Sequence, residues 1–481
     1  MGGHRITNPR PLFTAALGLI TGIGFWRLFP EGTAFFALLP AAAAGLTLLS
    51  ALRRRAWLAL FFLFLLAGLV RMRAAAPPEF EPRKGTLTGV ICESPAAVRG
   101  GWCLSLRDAE LNGRPVPGRV EMTVRSGGLS YGLRLRVEGT LLPVSRTDNY
   151  RLYRRAAARF TVSGDPVPLD SRPDPYGWML ALRGRLSAAC ARLFPRHGGV
   201  AAAMLLGDKS AVTGEESDAL YDYLIAVSGL HTGVLAGAVS LLIPRRRLWL
   251  RFCLLALFLA FYAVLTALSP SVLRAGILLL TAELAVPLRR RYDGLSGLSF
   301  AAVLILLFRP AALFYPGFQL SFAAVYGLVL LAPVLVRLLP ASLGDLGRTL
   351  AYSAAASVSI LPVTLRFFGR ASALSLPANM LALPLAPLFL IPGAAALLLG
   401  VILPSAGRAA AFFPDLVLGA LFAIGKVFSS GVLSLSAPSL PLLLLFYAGL
   451  FLVSDPCLLP GRIKYPCSAA AILFCALRLT F

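Results

Sequence analysis

Apolar runs long enough to form bilayer-crossing helices recur along this chain, and about 20 residues of such a run span the hydrocarbon core. Three come first, near 12–29, 33–52 and 57–70, separated by short links that include Arg53-Arg54-Arg55. The first follows Arg5 and Arg10. It reads as a retained helix and not a cleaved leader, because further spans follow at once. From Pro77 to Pro175 the period changes. Short alternating segments, Thr86–Cys92, Trp102–Arg107, Arg119–Val124 and Leu133–Glu138, are punctuated by Gly and Pro turns, the pattern of a compact β domain. Five or six short strands suit a small OB-type barrel, with a sandwich fragment as the alternative. An amphipathic helix lying on the membrane surface is predicted over Met179–Leu206. Leu182, Leu186, Ala189 and Leu193 share one face there, beside a stripe of Arg185, Arg192 and Arg196. A polar turn follows over 207–218, in which Thr213 and Glu216 have capping-box spacing. Ten further spans are predicted near 219–243, 248–267, 271–288, 295–308, 317–338, 349–368, 372–402, 410–430, 437–453 and 466–479.

The expected fold is therefore a polytopic α-helical membrane protein of roughly 12 to 13 transmembrane helices with an inserted small β-barrel. Its regions are 1–76 (N-terminal helices), 77–175 (OB-like β domain), 176–218 (interfacial helix and polar turn) and 219–481 (helical channel domain).

Composition agrees: 57% of the 481 residues are hydrophobic and 14% charged, with a mean hydropathy of +0.76. Lipid, and not water, is the solvent for most of this chain. The formal charge of +24 comes almost entirely from arginine, since only Lys84, Lys209, Lys426 and Lys464 are lysine. Such an excess suits phospholipid headgroups or a polyphosphate, and basic cytoplasmic loops are an equally ordinary source of it. The triplets Arg53–Arg55, Arg245–Arg247 and Arg289–Arg291 orient the chain by the positive-inside rule. Alternating spans satisfy all three when the N-terminus is cytoplasmic and the β domain extracytoplasmic. That domain carries fifteen basic and ten acidic residues between Phe80 and Asp174, and its aromatics Trp102, Tyr131, Tyr150 and Tyr153 are dispersed. The seven cysteines and three histidines show no metal-ligand spacing, so neither a metal nor another cofactor is expected. Cys92 and Cys103 would lie opposite one another in a hairpin centred on Ala97 and Val98, which fits either a cross-strand disulfide or an ordinary buried pair.

Polar groups inside apolar helices are the candidate chemistry. In the run Leu224–Gly233, Ser228, His231 and Thr232 cluster on one helical face, whereas Gly229, Gly233 and Gly237 form a small-residue stripe suited to close helix packing. Ser228 beside His231 suggests a nucleophile and its base, but no acidic residue follows closely and no strand-turn-helix elbow is present. Ser269-Pro270-Ser271-Val272-Leu273-Arg274-Ala275 sets an arginine within a span. Arg274 must pair with an acid, line water, bind a phosphate or snorkel to the interface. Gly317, Gln319 and Ser321 fall in Pro316–Phe322, near a helix start. Asn379, followed by Pro384, Pro387 and Pro392, reads as a broken helix.

Taken in order, Ser-Gly-Leu-His at 228–231, the Ser269 to Ala275 segment, Pro-Gly-Phe-Gln-Leu-Ser-Phe at 316–322 and Pro-Ala-Asn-Met-Leu-Ala-Leu-Pro at 377–384 resemble the competence domain of the ComEC family of DNA-uptake channels. The turn Leu205–Ser210 and the order of parts are similar as well. The resemblance implies a non-enzymatic channel in the bacterial cytoplasmic membrane that admits single-stranded DNA during natural transformation. Ser228, Gly229, His231, Arg274, Gly317, Gln319, Ser321 and Asn379 sit at motif positions. Expected partners are single-stranded DNA, the bilayer, an extracytoplasmic DNA receptor, a separate nuclease and a cytoplasmic DNA motor, since no phosphate-loop motif is present. Many family members carry a metallo-β-lactamase-like domain with a His-x-His-x-Asp-His cluster, and His4, His197 and His231 cannot build one. The alternatives are a secondary transporter of a smaller anionic substrate and an intramembrane hydrolase using Ser228 and His231.

Overall fold

The computed structural model describes residues 10–28, 40, 42–48, 50, 56–208, 229–428 and 432–454, with short breaks at 79, 94, 99–100, 126–128, 130, 146–147, 172–174, 245, 373 and 435–436. Ser228, the Thr213 and Glu216 pair, the span predicted at 466–479 and most of that at 33–52 lie outside the described residues. The chain divides into two compact units, residues 15–188 with 303–315, and residues 1–14, 189–302 and 316–481.

In the first unit, α1 (Pro11–Leu28) and α2 (Ala56–Ala74) are apolar on every face. They cross closely. A Cβ added to Gly18 or Gly22 would run into the carbonyls of Phe61 and Leu65, and one on Gly68 into Leu19. Gly18 and Gly22 are four residues apart, the spacing that lets membrane helices approach through small residues.

Five strands then close a barrel: β1 (Arg83–Ile91), β3 (Gly101–Leu111), β5 (Arg119–Val124), β6 (Leu133–Pro143) and β7 (Ala156–Val162), with the short β2 (Ala96–Val98) and β4 (Arg114–Pro115) beside β3 and β8 (Val167–Ser171) beside β6. The order β1-β3-β5-β7-β6 returns to β1, with β5 and β7 parallel and every other pair antiparallel. This is the connectivity of an OB-type barrel. Alternation fills it: Leu87, Leu104, Leu106, Val120, Met122, Leu135, Val137 and Phe160 point into one core.

The register corrects the disulfide expectation. The hairpin turns between Val98 and Gly101, so Cys103 pairs with Ala96, while the Cys92 N–H bonds the Ser105 carbonyl at 2.8 Å. The two cysteines are offset by two residues instead of opposed, and both are free, buried thiols. Burial raises the pKa of each.

After α3 (Asn149–Tyr153), the predicted single helix over 179–206 is two, α4 (Pro175–Leu193) and α5 (Gly198–Leu206), because Pro195 and the following turn interrupt it. α4 exposes Trp178 and Leu182, whereas Val200–Leu206 of α5 are buried. The helices that follow are α6 (Gly229–Leu241), α7 (Leu248–Leu265), α8 (Pro270–Ala285), α9 (Gly294–Phe308), α10 (Pro316–Leu330), α11 (Ala332–Leu338), α12 (Gly344–Phe368), α13 (Ser375–Ile402), α14 (Pro404–Phe428) and α15 (Leu440–Val453). Strands β9 (Arg370–Ser372) and β10 (Val432–Ser434) pair antiparallel between the ends of these helices. Among the described residues five helices are long and apolar enough to cross a membrane, or six if α10 and α11 form one bent span. Shorter apolar helices are α6, α9 and α15.

The predicted break is elsewhere. α13 runs unbroken through Pro384, Pro387 and Pro392, while the bend of 43° lies between α10 and α11, where Pro333 is the second residue of α11. A proline ring clashes with the carbonyl four residues earlier, which separates the two helices there. α13 and α14 meet closely beside their connection, where a Cβ on Gly407 would run into the backbone of Gly400.

Candidate functional site

Three of the four motif segments converge in the second unit. α7 ends in a tight connection in which Ala267 and Leu268 both adopt left-handed backbone (φ 55 and 54). Such conformations are uncommon outside glycine and are retained where the surroundings fix them. Here Thr266 Oγ1 donates to the Tyr262 carbonyl at 2.9 Å, the Leu268 N–H donates to Ala263 at 2.7 Å, and Tyr262 Oη donates to the Leu205 carbonyl at 3.1 Å. Leu205 lies in the last turn of α5, and just after that helix Gly207 (φ 66) stands against Thr266. Pro270 then opens α8, its missing N–H harmless in the first turn. One turn on is Arg274.

Arg274 is 6% exposed. Its Nε donates to Ser321 Oγ at 2.6 Å, joining the second motif to the third on α10. Gly229, from the first motif, lies against the same guanidinium, and a Cβ there would overlap Arg274 Nη2. His231 and Thr232, in the same turn of α6, are buried. Among the described residues no carboxylate lies within ion-pair distance of Arg274. The guanidinium carries five donors and a full charge, while the serine oxygen is neutral and accepts one bond. The site is therefore a buried, cationic donor array suited to an anion. Gly317 and Gln319 are half-buried in the first turn of α10, and Phe318 stacks on Phe322 at 4.1 Å.

The fourth motif attaches through α12. Asn379 Nδ2 donates to Ser357 Oγ at 3.3 Å. α12 packs on α10 at Gly327, where a Cβ would collide with the Ala355 carbonyl and Ser359 Oγ. Ser353 and Ser359 on α12 are buried, and neither hydroxyl has a hydrogen-bond partner among the described residues. These hydroxyls and Gly327 were not singled out from the sequence. The spacing of Ser353 and Ser357, four residues apart within an apolar helix, was the available signal. Among the described residues nothing stands within 4 Å of a Cβ at Gly233 or Gly237, the pair expected to serve helix packing. The close approaches are at Gly229 and Gly327 instead.

The barrel has its own charged cluster. OB-type barrels usually hold ligands on the outer face of the strands equivalent to β3 and β5. That face is closed here, since Cys103, Ser105 and Glu121 are buried. Arg154 Nε lies 3.1 Å and Arg151 Nε 3.4 Å from the Glu121 carboxylate. Arg154 also pairs with Glu93, which Arg119 meets at 2.6 Å. Burial raises the pKa of Glu121, with Arg154 and Arg151 opposing. Tyr153 of α3 stacks on Tyr315 at 4.1 Å, and Arg27 Nη1 donates to Asn149 Oδ1 at 2.5 Å.

The family model described as "Competence protein" matches residues 204–454. "ComE operon protein 3" of Bacillus subtilis (strain 168) is 29% identical over 230 residues, which cover 45% of this chain and 29% of that protein. The chain thus matches less than a third of the length of this curated relative. No solved structure matches.

Proposed function

The chain belongs to the competence protein family, whose model takes in just over half of it, and from that premise we propose that it conducts single-stranded DNA across the bacterial cytoplasmic membrane during natural transformation. The observation that carries the reading is Arg274: a buried arginine in an apolar helix, bonded to a neutral serine and packed against the motif glycine. A phosphodiester would supply the missing negative charge, and it would do so in passing, because a single cationic contact leaves the strand free to move on. His231, Thr232, Gln319, Gly317 and, through Ser357, Asn379 extend the polar lining. The hydroxyls of Ser353 and Ser359, buried without a partner among the described residues, support a hydrated path.

In this reading the N-terminus is cytoplasmic and the barrel extracytoplasmic. α2 and α9 each follow an arginine triplet and end together: Arg71, near the end of α2, donates from Nε to the Leu307 carbonyl at 2.8 Å, and Arg155 of the barrel reaches the Phe308 carbonyl. Both helices thus run from a basic link to the barrel, as the positive-inside rule requires of a barrel on the outer side. α4, with Trp178 and Leu182 exposed, then lies at the outer interface. An extracytoplasmic receptor, a nuclease acting on the other strand and a cytoplasmic motor complete the system.

The test is uptake of end-labelled DNA into cells carrying Arg274→Gln. Internalisation should fall at least about tenfold, the loss of one charge-assisted contact, with surface-bound DNA unchanged. Normal internalisation would remove Arg274 from the path.

A further inference from the structure

Four arginines of the first unit meet where the barrel joins the ends of α2 and α9. Arg71 Nε and Arg155 Nη2 bond the successive carbonyls of Leu307 and Phe308, and Arg309 is the next residue. Arg309 Nη1 lies 3.5 Å from Tyr153 Oη, and its guanidinium is 5.9 Å from that ring, which stacks on Tyr315. Arg71 and Arg155 are exposed, and Arg119 and Arg309 half-buried. Only Arg119 has a carboxylate partner, Glu93; among the described residues none lies within ion-pair distance of Arg71, Arg155 or Arg309. Each helix-end carbonyl takes one donor from its arginine and leaves the others unused. The charges also feel one another. The Arg155 pKa is lowered, first by the partial desolvation of its side chain beside the helix ends and then by the charges of Arg309, Arg119 and Arg71.

We infer that Arg71, Arg155 and Arg309, with Arg119 beside them and the Tyr153–Tyr315 stack as a platform, bind the phosphodiester backbone of single-stranded DNA. Uncompensated arginines at a surface gain most from a polyanion that releases counterions as it binds. Aromatic rings beside them favour a strand with unstacked bases over a lipid headgroup, which has no base to stack. The usual ligand face of the barrel is closed by Arg151 and Arg154 over Glu121, and this arginine cluster lies off that face. The inference rests on the DNA-conduit reading and adds a second contact point on the barrel side.

The test uses the full chain in nanodiscs of zwitterionic lipid, with fluorescent oligo(dT) titrated over a salt series. The double variant Arg155→Gln/Arg309→Gln should weaken binding about tenfold or more. Its log-log salt slope should be shallower by about 1.4, the share of two phosphates on a single strand. The Arg155→Lys/Arg309→Lys pair, which keeps the charges, should retain the slope. Binding and slope unchanged in the glutamine pair would overturn the site while leaving the conduit reading intact. Loss of slope in the lysine pair would overturn it too, by exposing a structural effect. No oligonucleotide binding by the unmodified chain would sink both. Nanodiscs containing anionic lipid give the remaining arm. Enrichment of that lipid by the unmodified chain but not by the glutamine pair, with oligonucleotide binding unaltered, would assign these arginines to the membrane.

Discussion

Arg274 has a serine where a buried arginine ordinarily has a carboxylate, and that choice of partner decides what the site can accept. A fixed carboxylate would neutralise the charge and hold it against any passing anion, whereas a hydroxyl orients the guanidinium and leaves its charge available. Gly229 then has a role the sequence hid. A methyl at this position would overlap Nη2 of Arg274, and the flexible arm, not the backbone, has to give way. Gly229→Ala should therefore leave the protein inserted, at a cost of about 1–3 kcal/mol, while DNA internalisation drops. Gly233→Ala, with nothing among the described residues within 4 Å of the added carbon, should change stability by no more than about 0.5 kcal/mol. Membrane abundance by immunoblot alongside labelled-DNA uptake separates the two effects, and equal uptake by both variants would discard the steric argument. Cys92 and Cys103 supply a second residue-level expectation. Buried thiols with raised pKa present little thiolate at neutral pH, so maleimide should modify them only after denaturation. Modification at the same rate before and after denaturation would contradict their burial.

For elements, lipid makes sequence legible where it demands a continuous helix and illegible where helices choose partners. The spans predicted at 57–70, 248–267 and 295–308 lie within a few residues of α2, α7 and α9, because backbone polar groups in hydrocarbon must be satisfied inside one segment and the apolar run marks that segment. The alternation from Thr86 to Glu138 likewise foretold the barrel strands, since one face of each had to be apolar. Partner choice left no such mark. Gly233 and Gly237 have the same spacing as Gly18 and Gly22, yet only the latter pair meets a neighbouring helix among the described residues. The hairpin register missed Cys92 against Cys103 by two positions, which a local count cannot settle. Arg274 was legible as a charge needing a partner, but the identity of Ser321 as that partner, 47 residues away, was not. Gly327 is the element-scale test. Gly327→Val would drive a branched side chain into Ala355 and Ser359, separate α10 from α12 and lower the thermal unfolding midpoint in detergent. An unchanged midpoint would mean that these helices do not depend on that approach.

At the scale of the whole molecule, the proposed direction rests on charge. The formal charge of +24 is not spread evenly: arginine triplets stand at 53–55, 245–247 and 289–291, each beside an apolar helix. With those links cytoplasmic, as proposed, alternation of the spans would put the helix starts that carry Gly229, Arg274, Ser321 and Asn379 on the opposite face of the membrane. In the proposed orientation the motif residues would form an outer mouth to the path, and an entering strand would meet Arg274 early, not midway. This ordering fails if the orientation is reversed, so topology is a test of mechanism. In a Cys253→Ser background, which removes an exposed native thiol, Gly164→Cys in an open barrel turn should react with a membrane-impermeant maleimide in cells whose cytoplasmic membrane is intact. Arg290→Cys should react only after permeabilisation. The reverse pattern would put the barrel in the cytoplasm and turn the mouth into an exit, where a cationic contact would hold the strand back as it leaves instead of drawing it in.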